Sequence, residues 1–307
     1  HRGVIQHEWY APHWQRDQLT QSQSMHKSLL GLFIGIAIEE QRISSIDDPV
    51  GKYLSEWRDD PRGAITLRQL LQMSSGLAQY RFTLNPFTDD NRWLNSGHSG
   101  EVLLRTPLAG WAPGSRYDYN NTNSELLGMV LERAYGQRYS ELLRDKLWLP
   151  MGGERARVHT DRPNGRAYTS CCLAAPAMDW VRIGMLLLGK GAVNGRRIVS
   201  ADWIEQMIAP SPAAAHYGLQ IWLGSGDPAV PQEHAGSSGA LVSGPFLARD
   251  TFMTWGRGQQ HVFVVPSREL VIVRLGPALG RAPIKPGFDL VYLVNTAIQG
   301  MQPDAGT

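Results

Sequence analysis

The stretch Ser24-Met25-His26-Lys27-Ser28-Leu29-Leu30-Gly31-Leu32-Phe33-Ile34-Gly35-Ile36-Ala37-Ile38 starts polar and turns apolar on every side. A helix that is apolar all round is buried all round, so a helix beginning just after Ser24 is predicted to run through the core. Its first turn carries Ser-x-x-Lys. Residues three apart share a helical face, so Lys27 can reach Ser24 Oγ. A serine hydroxyl is a weak nucleophile until a neighbouring base takes its proton. A lysine in a poorly solvated place can lose its charge, and a helix N-terminus offers N–H groups to a developing oxyanion. The same four residues also fit a serine N-cap with a snorkelling lysine. Context favours chemistry, because a lysine opening an otherwise apolar helix will be buried and needs a partner.

Outward from that helix, the chain divides by pattern. Val4, Ile5 and Trp9 among polar residues predict a strand over Gly3 to Tyr10. Thr66 is a predicted N-cap for a helix with Leu67, Leu70 and Leu71 on one face, stopping at Ser74-Ser75-Gly76. Asn123 is placed as the cap of a helix from Ser124 to Tyr135, ended by Gly136. Helices are also predicted over 178–188, over 201–208 (capped by Ser200) and over 287–299. Strands are predicted at Tyr217 to Leu223, Thr251 to Trp255, Val262 to Val265 and Leu270 to Leu275, with turns at Arg257-Gly258 and Pro266-Ser267. The class is therefore α+β. An antiparallel sheet built from both chain ends, with flanking helices, would occupy 1–45 and 212–307, and a mostly helical lobe would be inserted at 46–211. A cleft between the two is a natural ligand site.

Composition limits the function. The 307 residues are 42% hydrophobic, enough for a sizeable core. Lys+Arg 30 against Asp+Glu 28 gives +2, too balanced for a nucleic-acid binder driven by charge. The apolar run Leu29 to Ile38 is about half of a membrane span, so no transmembrane helix is expected. The adjacent Cys171 and Cys172 are expected to be two reduced, buried thiols, which suits the cytoplasm. Two thiols and nine scattered histidines make no zinc site, so neither a metal nor another cofactor is expected. The chain starts at His1, and a missing N-terminal segment is expected; if exported, its signal would lie there.

Two further stretches could carry chemistry. Tyr119-Asn120-Asn121 is predicted on a loop before a helix. A tyrosine is normally a poor base at pH 7. A lysine ammonium about 4 Å away is worth at most about 4 kcal/mol at an effective dielectric of 20, roughly three pKa units, enough to bring tyrosinate near neutrality. Loop packing of Tyr117 and Tyr119 is the plainer account of the same residues. Thr254-Trp255-Gly256-Arg257-Gly258 ends a strand, where glycines let a backbone N–H approach a ligand closely; an ordinary glycine hairpin would look alike. Gly236-Ser237-Ser238-Gly239-Ala240 falls short of a nucleophile elbow at Ala240. His234 is read as loop and His26 as structural.

Ser-x-x-Lys, then Tyr-x-Asn, then a Gly-containing strand end, in that order and rough spacing, resembles the class C β-lactamase-like serine hydrolases. Ile46-Asp47-Asp48-Pro49-Val50, Leu70 to Leu77 and Leu126-Leu127-Gly128 add to the likeness. Cys171-Cys172-Leu173, Asp179 to Gly184 and Val264 to Arg274 look closest to the 6-aminohexanoate-dimer hydrolase and esterase branch. The resemblance implies a β-lactamase/transpeptidase-like fold. It implies Ser24 as the acylated nucleophile, Lys27 and Tyr119 sharing the base and acid roles, and an oxyanion hole from the N–H groups of Ser24 and Arg257. Asn121, Trp255 and Gly256 would contact substrate. β-Lactamases and carboxypeptidases of the group carry a Lys or His with Thr and Gly on that strand, where this chain has Thr254-Trp255-Gly256 and Trp255 cannot serve as the cation, so the implied substrate is a small-molecule ester or linear amide; placing His234-Ala235-Gly236 there instead would revive the β-lactam reading. A catalytically silent binding module is the non-enzymatic rival. The sequence leaves the oligomeric state open.

Overall fold

The computed structural model describes residues 1–80, 84–224, 240–241, 243–276 and 288–301. Its α-helices are α1 (His26–Glu39), α2 (Leu67–Leu71), α3 (Asp89–Asn95), α4 (Ser99–Leu104), α5 (Asn121–Tyr135), α6 (Tyr139–Leu142), α7 (Ala177–Leu188), α8 (Ala201–Met207) and α9 (Leu290–Gly300). The strands are β1 (Thr20–Gln21), β2 (Arg157–Val158), β3 (Leu173–Ala175), β4 (Ala192–Val193), β5 (Arg196–Arg197), β6 (Trp222–Leu223), β7 (Ala240–Leu241), β8 (Phe252–Gly256), β9 (Gln260–Val265), β10 (Leu270–Arg274) and β11 (Phe288–Asp289). The largest sheet runs β10-β9-β8-β6, antiparallel throughout, with Trp255 opposite His261 and Gly256 opposite Gln260. A smaller antiparallel sheet runs β1-β3-β2, and β11 pairs with β7 in parallel.

Strand alternation sorts the large sheet's side chains into two layers. Phe252, Val262 and Val264 join the core that holds α1 and α7. Met253, Trp255, Phe263 and Val265 pack with Leu290, Val291, Val294 and Ile298 of α9. Gly184 of α7 lies directly against Val271 and Val262. Helix α1 is buried on all sides, as its sequence requires. It is admitted so deeply because two glycines leave room: a Cβ at Gly35 would overlap the Trp203 indole of α8, and one at Gly31 would sit 2.7 Å from Leu219 O. Trp203 Nε1 donates to Gly31 O at 2.9 Å.

Several caps follow the sequence. Thr66 accepts from Gln69 N at 3.2 Å while Gln69 Oε1 accepts from Thr66 N at 2.9 Å, a complete capping box. Ser200 accepts from Trp203 N, and Gly136 ends α5 in the left-handed region at φ 65°.

Other expectations are corrected. Asn120, not Asn123, caps α5: its side chain accepts from Thr122 N at 2.9 Å and donates to Leu77 O at 2.9 Å, so the helix starts at Asn121. Asn123 lies inside the first turn and accepts from Ser75 Oγ. Gly3 to Tyr10 is no strand. Its Val4 and Trp9 stand 61% and 72% exposed, and the alternation has no face to bury. The first strand is β1, which pairs with β3; among the described residues all strands of the large sheet come from the C-terminal third. The α+β class with antiparallel sheets stands, without an N-terminal strand in that sheet. Finally, Cys171 and Cys172 are joined in a disulfide rather than reduced, with Cys172 at φ 72°. The reason given for a cytoplasmic setting goes with the thiols. No helix among the described residues is long and apolar enough to cross a membrane.

Gly35→Ala is expected to lower stability by about 1–3 kcal/mol in denaturant unfolding, as overpacking of a filled core does. An unchanged midpoint would mean that Trp203 has room to move.

Candidate active site

The apolar helix explains the site's first feature. Ser24 lies on a 3-10 turn, Gln23–Met25, immediately before α1, and is half-buried. Gln23 enters it at φ 49°. One turn on, Lys27 is 1% exposed, carried inward by the helix it opens. Its Nζ donates to Ser24 Oγ at 2.8 Å and to Ser170 O at 2.6 Å. Burial pushes the amine down to about 7, against the opposing pull of the Glu125 carboxylate.

Tyr119 arrives from the loop that leads into α5. Its ring faces Lys27 Nζ, 5.1 Å from the centroid, and its hydroxyl hydrogen-bonds with Ser24. Burial pushes the phenol well above its ordinary value, with the Ser24 contact opposing. Burial thus works against the expected lysine-held phenolate. The lysine stands over the ring, and desolvation moves the two groups in opposite directions, towards neutral amine and neutral phenol.

A strap at 168–172 closes the floor. Ser170 N donates to Glu125 Oε1 at 2.9 Å while its carbonyl receives Lys27. Thr169 Oγ1 donates to Ser124 O at 2.9 Å. Glu125 is fully buried; burial works to raise its carboxyl, but Arg166 at 2.6 Å and Ser170 hold it below the usual range. His26 is structural, as its position predicts: Nδ1 bonds Cys171 O at 2.6 Å and Nε2 bonds Tyr139 Oη at 2.9 Å. Burial pushes its imidazole down to about 4.

The strand end forms the other wall. A Cβ on Gly256 would run into Ser22 O and lie 3.1 Å from Gln23 Cβ, so the edge of β8 meets the Ser24 turn because residue 256 is glycine. Arg257 follows, exposed, at the start of the turn. Arg274 Nη1 donates to Gln259 O at 2.8 Å, and Gln260 Nε2 to Gly258 O at 3.1 Å, fixing that turn.

Trp255 points the other way and is 4% exposed. Its ring lies 5.2 Å from Trp222, which lies 5.4 Å from Tyr119, so it backs the site through two rings. Asn121 is exposed on the first turn of α5. Ser24, Lys27, Tyr119 and Gly256 thus converge, while Trp255 stands behind them. His234 and the 236–239 stretch lie outside the described residues.

Sequence reasoning missed Ser170, Glu125 and Arg166. Ser170 acts through its backbone and leaves no side-chain signal. Glu125 did leave one: a carboxylate directly before Leu126-Leu127 in a helix buried along most of its length.

Residues 1–283 match the family described as Beta-lactamase. The chain is 26% identical over 211 residues to 6-aminohexanoate-dimer hydrolase of Paenarthrobacter ureafaciens, covering 66% of this chain and 54% of that protein. It is 29% identical over 140 residues to penicillin-binding protein 4* of Bacillus subtilis strain 168, covering 45% of this chain and 30% of that protein. The chain thus spans about half or less of the curated relatives' length. Among solved structures, a Bacillus anthracis protein provisionally described as a 6-aminohexanoate-dimer hydrolase superposes with TM-score 0.73 at 21% identity, covering 95% of this chain and 74% of that one. The octameric penicillin-binding protein homologue from Pyrococcus abyssi superposes with TM-score 0.64 at 20% identity, covering 92% and 66%. Identities that low speak for the fold alone, which is β-lactamase/transpeptidase-like. With a match running from residue 1 to residue 283, the chain belongs to the Beta-lactamase family.

Proposed function

We propose that the chain is a serine hydrolase that cleaves an ester or small linear amide through an acyl-enzyme on Ser24. The observation that carries this reading is a buried amine, depressed to about 7, whose Nζ stands 2.8 Å from Ser24 Oγ. In this reading the neutral Lys27 amine accepts the Ser24 proton as Oγ attacks the substrate carbonyl. The oxyanion forms against the N–H groups of Ser24 and Arg257. As it collapses, the carbonyl carbon's bond to the leaving oxygen or nitrogen breaks. The leaving group takes the Tyr119 hydroxyl proton, and the Lys27 ammonium returns a proton directly to the Tyr119 oxygen, so both groups are neutral again while Oγ stays bonded to the acyl carbon. Water then repeats the cycle on the acyl-enzyme, with Lys27 taking its proton.

The residues around the reacting group have lesser parts. Gly256 lets the strand edge approach, Asn121 offers its amide at the mouth, and Trp255 supports the wall through Trp222. Residues 46–211 supply Tyr119 and Ser170, while 1–45 and 212–307 supply Ser24, Lys27 and the end of β8, so substrate enters between them. A second reading, turnover of β-lactams or D-alanyl peptides, draws on the penicillin-binding relative and is separated by a chromogenic cephalosporin.

Three outcomes follow from the mechanism. Mixed with a short-chain p-nitrophenyl ester, wild type is expected to give a nitrophenol burst and an acyl adduct by intact mass, and Ser24→Ala neither. An adduct on the alanine variant would remove Ser24 as nucleophile. Tyr119→Phe is expected to lower kcat by about 10²–10⁴-fold, the usual size of a general-acid effect; wild-type kcat would end its proton-transfer role. Lys27 must be uncharged to accept a proton, so kcat/KM is expected to fall about tenfold per pH unit below about 7 and to level off above it. A profile flat from about pH 5 to about pH 9 would exclude Lys27 as the base.

A further inference from the structure

Glu125 is a fully buried carboxylate on α5 that takes no part in the mechanism above. A charge in such a place is costly unless good geometry offsets it. Here it receives Arg166 Nη2 at 2.6 Å and the Ser170 amide at 2.9 Å. Ser170 is the residue whose carbonyl anchors Lys27 Nζ at 2.6 Å. One residue of the strap therefore hangs from Glu125 by its N–H and carries Lys27 by its C=O. Arg166 holds the carboxylate from the other side and reaches Ser99 Oγ with its Nε at 3.2 Å.

We propose that the buried Glu125–Arg166 pair is a positioning element of the reaction: it fixes the Ser170 carbonyl that sets Lys27 Nζ against Ser24, and places a negative charge behind that amine. The proposal rests on Lys27 acting as the base toward Ser24.

The surroundings of Lys27 leave Glu125 as the charge that matters. Ser24 faces it from the 3-10 turn and Tyr119 from the loop before α5, both uncharged in the resting site. His26, its neighbour on α1, is neutral near pH 7 and turned to Cys171 O and Tyr139. The strap offers the Ser170 carbonyl and a disulfide. Glu125, with Arg166 beyond it, supplies the charge from α5, and the carboxylate raises the lysine against the larger effect of burial.

The test uses pH profiles of kcat and kcat/KM on the full chain with the p-nitrophenyl ester. Glu125→Gln keeps an oxygen for the Ser170 amide and removes the charge. Its acid limb is expected to move down by roughly half a pH unit or more, the sign expected for loss of a carboxylate near an amine. Glu125→Asp keeps the charge but draws it back by one methylene. Its plateau kcat is expected to fall about tenfold, as a misplaced base does, with the limb near its wild-type position.

Asp179→Asn is the control. Asp179 is also fully buried and ion-paired, to Arg182 at 2.6 Å, with Trp148 and the backbone of Glu154 and Arg155 as its other partners. It is expected to lower the melting temperature without moving the limb. A Glu125→Gln limb that coincides with wild type overturns the proposal, as does wild-type kcat in Glu125→Asp. The aspartate variant decides alone should the glutamine variant fail to fold. A wild-type profile with no acid limb removes the base assignment and this proposal with it; a wild-type limb that no variant moves removes this proposal only.

Discussion

An amine that has lost its water at the first turn of an apolar helix sets the terms for the whole site. Lys27 is 1% exposed because α1 is apolar on every side and has nowhere to lie but inside. That burial is itself a packing result, since Gly31 and Gly35 let Leu219, Met207 and Trp203 close over the helix. The same helix that is sunk into the core therefore carries the lysine out of water. A desolvated ammonium is unfavourable and a desolvated amine is not, so the helix pushes Lys27 towards the form that can take a proton. Its two acceptors, Ser24 Oγ and Ser170 O, hold it in place without adding a formal charge of their own.

The groups that meet Lys27 come from distant parts of the chain, and each arrives by a distinct local device. Asn120 caps α5 and anchors to the Leu77 and Ala78 carbonyls, which fixes the loop bearing Tyr119 immediately before it. Thr169 ties the strap to α5 through the Ser124 carbonyl. Gly256 brings β8 against Ser22 because any side chain would strike that carbonyl. Each brings a backbone group against another backbone or against a short polar side chain. The two hydrogen-bonded contacts define positions more tightly than packing alone, because a hydrogen bond weakens steeply away from its preferred angle.

The legibility of the site in the sequence followed from how local each contact is. The Ser24–Lys27 contact depends on helical spacing and could be read directly. Tyr119 and Gly256 are brought near only by the fold, so their grouping came from a resemblance in order along the chain and not from spacing. The strap was invisible because Ser170 works through its backbone. The expected phenolate came from counting Coulomb attraction without desolvation, which acts on both groups once they are buried. The mistaken strand at Gly3 to Tyr10 came from alternation alone, which identifies a strand only when a partner and a buried face exist. The cysteine pair was misread because Cys172 adopts a left-handed backbone that no neighbouring glycine announces.

Strand alternation also bears on what Trp255 means in a strand end where the resemblance leads one to look for a cation. On β8, Met253 and Trp255 share the face turned to Phe263 and α9, so a side chain at 255 is directed into the second core, and Trp222 stands between it and Tyr119. An ammonium there would need the burial offset that Lys27 obtains from Ser24 and Ser170, and the surroundings are aromatic rings. The exposed residue at this strand end is Arg257, one step past the glycine that touches the Ser24 turn. In the proposed reading, Arg257 both presents its N–H to the oxyanion and carries a solvated guanidinium at the rim. A guanidinium in that position can hold a carboxylate without the desolvation cost of a buried cation. In that reading the charge preference of the substrate would be set at Arg257 rather than at Trp255, and a linear amide ending in a carboxylate would suit that rim as well as a neutral ester.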